Sequence, residues 1–402
     1  PYIYKTENYG KSWKEITNGI GEESFTRALR ADPKRKGLLY AGTERGMYVS
    51  FDDGENWESF QQNLPIVPIT DLAIKNDNLI AATQGRSLWI IDDLTPLHQL
   101  NSSVLKQNVV LYKPKDAYNM TGGNGKTSRT AGTNHAGGVA VNYFIKKENE
   151  KDTIALSFYD MENTLIKKYT TKPDKEKKEE ALKIKEGNNI FNWDMMYPGA
   201  EKVKGMILWW ASLNGPMALP GKYKVELSVN SKKRYQNFNI LSNPTSEATE
   251  SDMKMQFNFI NDINTKMTEI HKALKNVTKV SNQVGILKKS IKDKEKYKVL
   301  LAFADTLVKD LTKIEEILYQ TKSKSGQDPL NFPIRLNNKL AHLNSLTRIG
   351  NYAPTEQAID FKNKITNEID VELAKLNVLF TNGVKELNKK VKESDIDLIQ
   401  LD

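Results

Sequence analysis

The chain has 402 residues, 59 Lys plus Arg against 50 Asp plus Glu, a formal net charge of +9 and no cysteine. That length suits two to four domains, each able to bury a core, and the missing cysteines exclude disulfides, thiolate metal sites and a cysteine nucleophile. The basic residues are 50 Lys and only 9 Arg; because arginine is the side chain that grips bases and phosphates in a rigid fork, the excess reads as a solvated lysine surface and no nucleic-acid partner is expected.

In chain order, residues 1–100 show short apolar runs separated by Gly, Asp and Asn turns, the pattern of antiparallel strands. Tyr2–Glu7 and Ser12–Thr17 form one pair. Phe25–Arg30, Leu38–Thr43, Gly46–Phe51 and Asn56–Phe60 form a set of four. Ile69–Ile74, Asn78–Thr83 and Ser87–Asp92 form a set of three with no evident fourth strand. Two short motifs punctuate the run, Ser50-x-Asp52-x-Gly54-x-Asn56-Trp57 and Thr6-x-Asn8-x-Gly10-x-Ser12-Trp13. Asp or Asn accepts local backbone hydrogen bonds, Gly supplies positive φ, and Trp packs across a hairpin, so all three roles are structural. The tryptophans stand 44 residues apart, a spacing that fits one four-stranded repeat of about 40–45 residues.

These motifs resemble the Asp-box of bacterial BNR-repeat, VPS10/sortilin-like β-propeller proteins of the so-called glycosyl hydrolase family. Arg30-Ala31-Asp32-Pro33, Gly37–Glu44 and Thr83–Asp93 resemble the last blades of such propellers. The resemblance implies that 1–100 are the last two to three blades, with further upstream blades as their partners and with the strand that completes the last blade borrowed from the far end of the ring. It also implies an exported protein, periplasmic, cell-surface or secreted. The sequence starts at Pro1 without Met or a signal pattern, so it is read as a fragment whose export signal would lie upstream.

Residues 101–138 read as a connector followed by a Gly-rich loop from Thr121. Gly125-Lys126-Thr127 suggests a phosphate-binding loop, but Met120 stands where that motif needs Gly and no helix pattern follows; Arg129 and His135 remain as polar contacts. From 139 to 243 strict alternation returns, as in Tyr223, Val225, Leu227 and Val229, and about seven strands predict an Ig-like β-sandwich without a disulfide. Asn189–Asp194 and Leu219–Val225 resemble the G-x-N-x-x-x-W-D and P-G-x-Y pair of bacterial Ig modules, while the charge run Lys172–Glu180 predicts a solvated hairpin tip. Past Pro244 the period switches to 3.6. Ile260, Ile263, Met267, Ile270, Leu274 and Val277 make one stripe, and Leu300, Ala304, Leu307, Leu311, Ile314 and Leu318 a second. Helices at 334–346 and 355–391 complete an expected α-helical bundle over 250–402. Pro333–Leu340 resembles the helical region of the same propeller family.

The fold class is therefore multidomain β plus α. No run of about 18 apolar residues spans a membrane, and the four histidines lie in separate segments without metal-site or triad spacing. No cofactor, metal or catalytic residue is assigned. Asp52/Asp53 and Asp92/Asp93 are adjacent in strands or hairpins, where neighbours point apart, so neither pair flanks a glycosidic bond. The function expected is a binding or scaffold module for protein or glycan ligands, with Tyr48, Trp89 and Arg86 as contact residues. The alternative is part of a glycoside hydrolase whose carboxylates lie on upstream blades.

Overall fold

The computed structural model describes residues 1–120, 122, 136–147, 151–174, 179–291, 295–394 and 396. Gly125-Lys126-Thr127, Arg129 and His135 lie outside them, as does the middle of the charge run at 175–178. The chain divides into two compact units, Pro1–Asp194 with Lys222–Asn239, and Met195–Gly221 with Ile240–Asp402. The alternation that groups 139–243 into one β region thus overlooks Met195–Gly221, which belongs with the helices.

The first unit begins with a hairpin of β1 (Tyr4–Lys5) and β2 (Lys14–Glu15). A four-stranded antiparallel meander follows, of β3 (Thr26–Ala31), β4 (Leu39–Thr43), β5 (Gly46–Ser50) and β6 (Glu58–Ser59). The third sheet contains β7 (Ile69–Lys75), β8 (Asn78–Thr83) and β9 (Leu88–Ile91), with β9 on its edge. Every residue of β4 is buried, because both faces of the meander are covered. Leu39 and Ala41 pack with Ile3, Ile16, Ile20 and Trp57 on one side. Leu38, Tyr40, Met47 and Val49 pack with Ile69, Leu72, Leu79 and Ala81 on the other. Close approach requires Gly42, where a Cβ would stand 2.6 Å from Ile69 Cγ2.

Two short helices, α1 (Thr95–Gln99) and α2 (Ser102–Leu105), lead into a second β region. The stretch read as a connector contributes strands of its own: β10 (Val109–Leu111) joins β12 (Val139–Ile145) and β16 (Gly187–Trp193) in a three-stranded sheet. In chain order the other strands are β11 (Ala117–Tyr118), β13 (Ile154–Tyr159), β14 (Leu165–Thr170), β15 (Glu180–Ala181), β17 (Gly221–Val229) and β18 (Lys232–Leu241). They form a six-stranded sheet in the order β11-β18-β17-β13-β14-β15. Aromatic rings join the two sheets: Trp193, fully buried, stacks on Phe158 at 4.5 Å between ring centres and meets Phe238 edge-on at 6.2 Å. The described ends of the charge run depart from a simple hairpin tip, since β15 pairs in parallel with β14.

The second unit is helical. Thr249 and Asp252 make a reciprocal capping box that starts α3 (Glu250–Ser290), satisfying backbone N–H groups that a helix start leaves open. Next come α4 (Lys298–Leu318), a 3-10 turn at Asp328–Leu330, α5 (Leu336–Thr347), α6 (Glu356–Val378) and α7 (Val384–Glu393). Both apolar stripes are buried at every position named from the sequence. The helix expected over 355–391 runs through a π-helical turn at Leu379–Gly383, where a Cβ on Gly383 would come 2.8 Å from Leu307 Cδ1.

Candidate functional site

The two Trp motifs fold into the same turn. In the second, Ser50 Oγ accepts from Gly54 N at 2.9 Å, while Asp52 accepts from Ser50 Oγ at 2.9 Å and from Asn56 N and Nδ2, each at 2.8 Å. In the first, Thr6 Oγ1 accepts from Gly10 N at 2.8 Å, Asn8 Oδ1 accepts from Ser12 N at 2.9 Å, and Asn8 Nδ2 donates to Ser12 Oγ at 2.8 Å. Left-handed backbone falls at matching places, Tyr9 and Gly10 in one, Asp53 and Gly54 in the other. Burial pushes the Asp52 pKa up, but hydrogen bonds from the Asn56 side chain and backbone and from Ser50 outweigh it, and the net shift is downward. Asp52 is thereby held as a charged acceptor inside its turn, a poor position for a group that must exchange protons with a substrate.

The tryptophans differ. Trp57 is 4% exposed, and its Nε1 donates to Ile16 O at 2.8 Å. Trp13 is 60% exposed, its ring lying over Gly10 of its own turn with the other side left uncovered.

The three nominated contact residues do not converge. Tyr48 is half-buried and packs on the side of the meander that holds Ile16, Ile20 and Trp57. Trp89 lines a cleft on the opposite side with Met47, Phe60, Leu64, Leu79 and Ile90. Arg86 is close to Trp89, since its carbonyl accepts from Trp89 Nε1 at 3.0 Å. The cleft encloses only about 40 Å³, far below the roughly 300 Å³ at which small-molecule pockets begin. Beside it, the edge strand β9 exposes Leu88 (64%) and Ile90 (55%).

A polar cluster that pattern reading missed sits nearby. Asp32 is buried; its Oδ1 accepts from Lys34 N at 2.8 Å and Arg35 N at 2.9 Å, and its Oδ2 lies 2.9 Å from His98 Nε2 and 3.4 Å from Tyr40 Oη. Asp before Pro33 is a turn signal, but His98 is distant in sequence and gave none. Of the other aspartates singled out from the sequence, Asp53 pairs with Lys5 at 2.6 Å and Asp93 accepts from Thr95 N at 2.9 Å and Asn142 Nδ2 at 3.2 Å, while Asp92 makes no such contact among the described residues. Among the remaining histidines, His271 is buried and donates to the Glu201 carbonyl, and His342 Nδ1 donates to Trp210 O at 2.6 Å. Among the described residues, no three of His, Cys, Asp and Glu converge to hold a metal ion, and no helix is long and apolar enough to cross a membrane.

The helical unit has its own groove of about 510 Å³, open and lined by Asp310, Lys313, Ile317, Glu372, Lys375 and Val378. Its rim charges pair internally, Lys313 with Asp310 at 2.8 Å and Lys375 with Glu372 at 2.6 Å.

No family model matches the chain. Vacuolar protein sorting/targeting protein 10 of Pyrenophora teres f. teres is 37% identical over 68 residues, which is 16% of this chain and 4% of that protein. Among solved structures, an extracellular domain described as that of a one-component system of B. thetaiotaomicron covers 60% of this chain and 28% of that one, at 10% identity and a TM-score of 0.20. One described as that of a hybrid two-component system covers 58% and 28%, at 12% identity and 0.18. Scores this low carry no fold assignment. The chain spans a small part of each relative.

Proposed function

We propose that this chain is the C-terminal portion of an exported Asp-box propeller protein that binds a macromolecular ligand, protein or glycan, without cleaving it. In this reading residues 1–100 are the last blades, the Ig-like sandwich and helical bundle serve as scaffold, and the open β9 edge receives the strand that completes its blade. The observation that carries it is the pair of Asp-box turns, 44 residues apart, with matching hydrogen bonds. The local similarity to a protein named for sorting and targeting supports it. So does the Trp89 rim, too shallow to enclose a small molecule yet able to present an aromatic face to a long ligand. Against the hydrolase alternative, Asp52, Asp53 and Asp93 are each committed to a neighbour.

The test is retention of the purified chain in gels loaded with plant and bacterial polysaccharides, together with capture of cell-envelope proteins. Trp89→Ala and Arg86→Ala should abolish whichever interaction is found while leaving the melting temperature nearly unchanged. Retention that survives both substitutions would place the ligand elsewhere.

A further inference from the structure

The second Asp-box turn shows how such a turn is covered, and the first has the same parts without the cover. At the second turn, the cover is the stretch Ile16-Thr17-Asn18-Gly19, which leaves β2 and closes into a turn through Ile20 N donating to Thr17 O at 3.0 Å. Ile16 O accepts from Trp57 Nε1 at 2.8 Å, Trp57 N donates to Asn18 O at 2.9 Å, and Asn18 Nδ2 donates to Asn56 Oδ1 at 2.8 Å. Ile16 fills the space over Gly54, where a Cβ would meet its Cδ1 at 2.5 Å. Gly19, at φ +97°, passes so close that any side chain would strike the Trp57 backbone. Two ion pairs flank the contact, Lys5 with Asp53 at 2.6 Å and Lys14 with Glu55 at 2.7 Å.

At the first turn every receiving group is present at the position 44 residues earlier, with Ser12 for Asn56, Gly10 for Gly54 and Trp13 for Trp57. The face is open. Trp13 is 60% exposed and Tyr9 fully so, and the space over Gly10 is occupied by the Trp13 ring itself, 3.7 Å from where a Cβ would stand. We propose that the Trp13 face is the docking surface for one further repeat of the same kind. That repeat presents an apolar-x-Asn-Gly turn whose apolar residue accepts from Trp13 Nε1 through its carbonyl, as Ile16 does from Trp57. This deepens the Asp-box reading above and rests on it.

The flanking residues specify the partner further. Lys11 stands where Glu55 stands, and Tyr9 where Asp53 stands. The incoming repeat therefore carries an acid at the place of Lys14, facing Lys11. A second copy of this chain does not qualify, because its own Ile16–Gly19 is already engaged by its own Trp57.

The test fuses a copy of residues 1–44 in front of Pro1 of the full chain, which puts the added Ile16 at the same spacing from Trp13 that Ile16 has from Trp57. Hydroxyl-radical footprinting with mass spectrometry then reads each tryptophan separately. Trp13 oxidation should fall towards the rate of Trp57 in the fusion. It should fall further when the added copy carries Lys14→Glu, and return to the rate of the unfused chain when that copy carries Gly19→Val. Trp13 as reactive in the fusion as in the unfused chain, with Trp57 still protected, overturns the docking surface and leaves the Asp-box reading standing. An added copy that stays unfolded overturns it equally, because the face has then failed to seat its own repeat. Trp57 reactive in the unfused chain would remove the Asp-box packing and the inference with it.

Discussion

Asp32 is the residue on which the first unit's sheets and the following helix α1 meet. Its carboxylate holds the turn after β3 through two backbone N–H groups and reaches His98 on α1. Burial works to raise its pKa, but the hydrogen bonds from His98, Lys34 N and Arg35 N prevail and the carboxyl titrates below its ordinary 3.8. The folded state therefore binds this proton less well than the unfolded chain. The stability gained is fully present above pH 3.8 and is lost as pH falls through the depressed folded value. Asp32→Ala should cost about 2–3 kcal/mol at neutral pH by leaving charge-assisted bonds unmade, and denaturant melts taken down to about pH 3 should show a shallower acid loss than the parent. Equal acid slopes would contradict this. Glycine positions give a second prediction at the same scale. Gly54 (φ +91°) and Gly85 (φ +85°) are both left-handed, but only Gly54 has a neighbour, Ile16, in the way of a Cβ. Gly85→Ala should cost about 1–2 kcal/mol from backbone conformation alone, and Gly54→Ala clearly more, as calorimetry can compare.

Among the elements, α5 has a role its sequence does not announce. Asn338 bonds both N and O of Trp209, at 2.7 and 2.9 Å. Asn344 donates to Asn214 O and Asn264 Oδ1, each at 3.0 Å, and accepts from Arg348 Nε at 3.0 Å. This buried network ties the stretch 206–215 to α3 and α5, which is why Met195–Gly221 travels with the helices. Asn344→Ala should destabilise the helical unit by about 2–4 kcal/mol, because several buried polar groups lose their partner at once. A loss under about 0.5 kcal/mol, the range of ordinary surface substitutions, would contradict that account. The helices themselves were legible, since an apolar stripe at 3.6-residue period has one solution, burial against neighbours, and α3 and α4 bury each residue so marked. The Trp motifs were legible as turns because their hydrogen bonds are local. What could not be read is contact made by backbone and polar side chains over long sequence distance: the 195–221 excursion, the β10 pairing and the His98 contact have no periodicity to display them. The exposure of Trp13 was hidden for the same reason, since its motif is the same as that of Trp57 and only the covering segment differs.

For the whole molecule, two units with separate cores should unfold separately. Calorimetry of the full chain should resolve two transitions, with Asp32→Ala lowering one and Asn344→Ala lowering the other; one transition moved by both would contradict the division. The central functional claim is recognition without hydrolysis, and it rests on Asp52, Asp53 and Asp93, each held by a neighbour, where a glycosidase needs two carboxylates free to act across the scissile bond. The most direct measurement is the release of new reducing ends when the purified chain is incubated with plant and bacterial polysaccharides, carried out alongside the Asp52→Ala and Asp93→Ala variants. The account predicts no release by any of the three, with Asp52→Ala melting lower than the parent; turnover by the parent that disappears in either variant while its fold persists would contradict it.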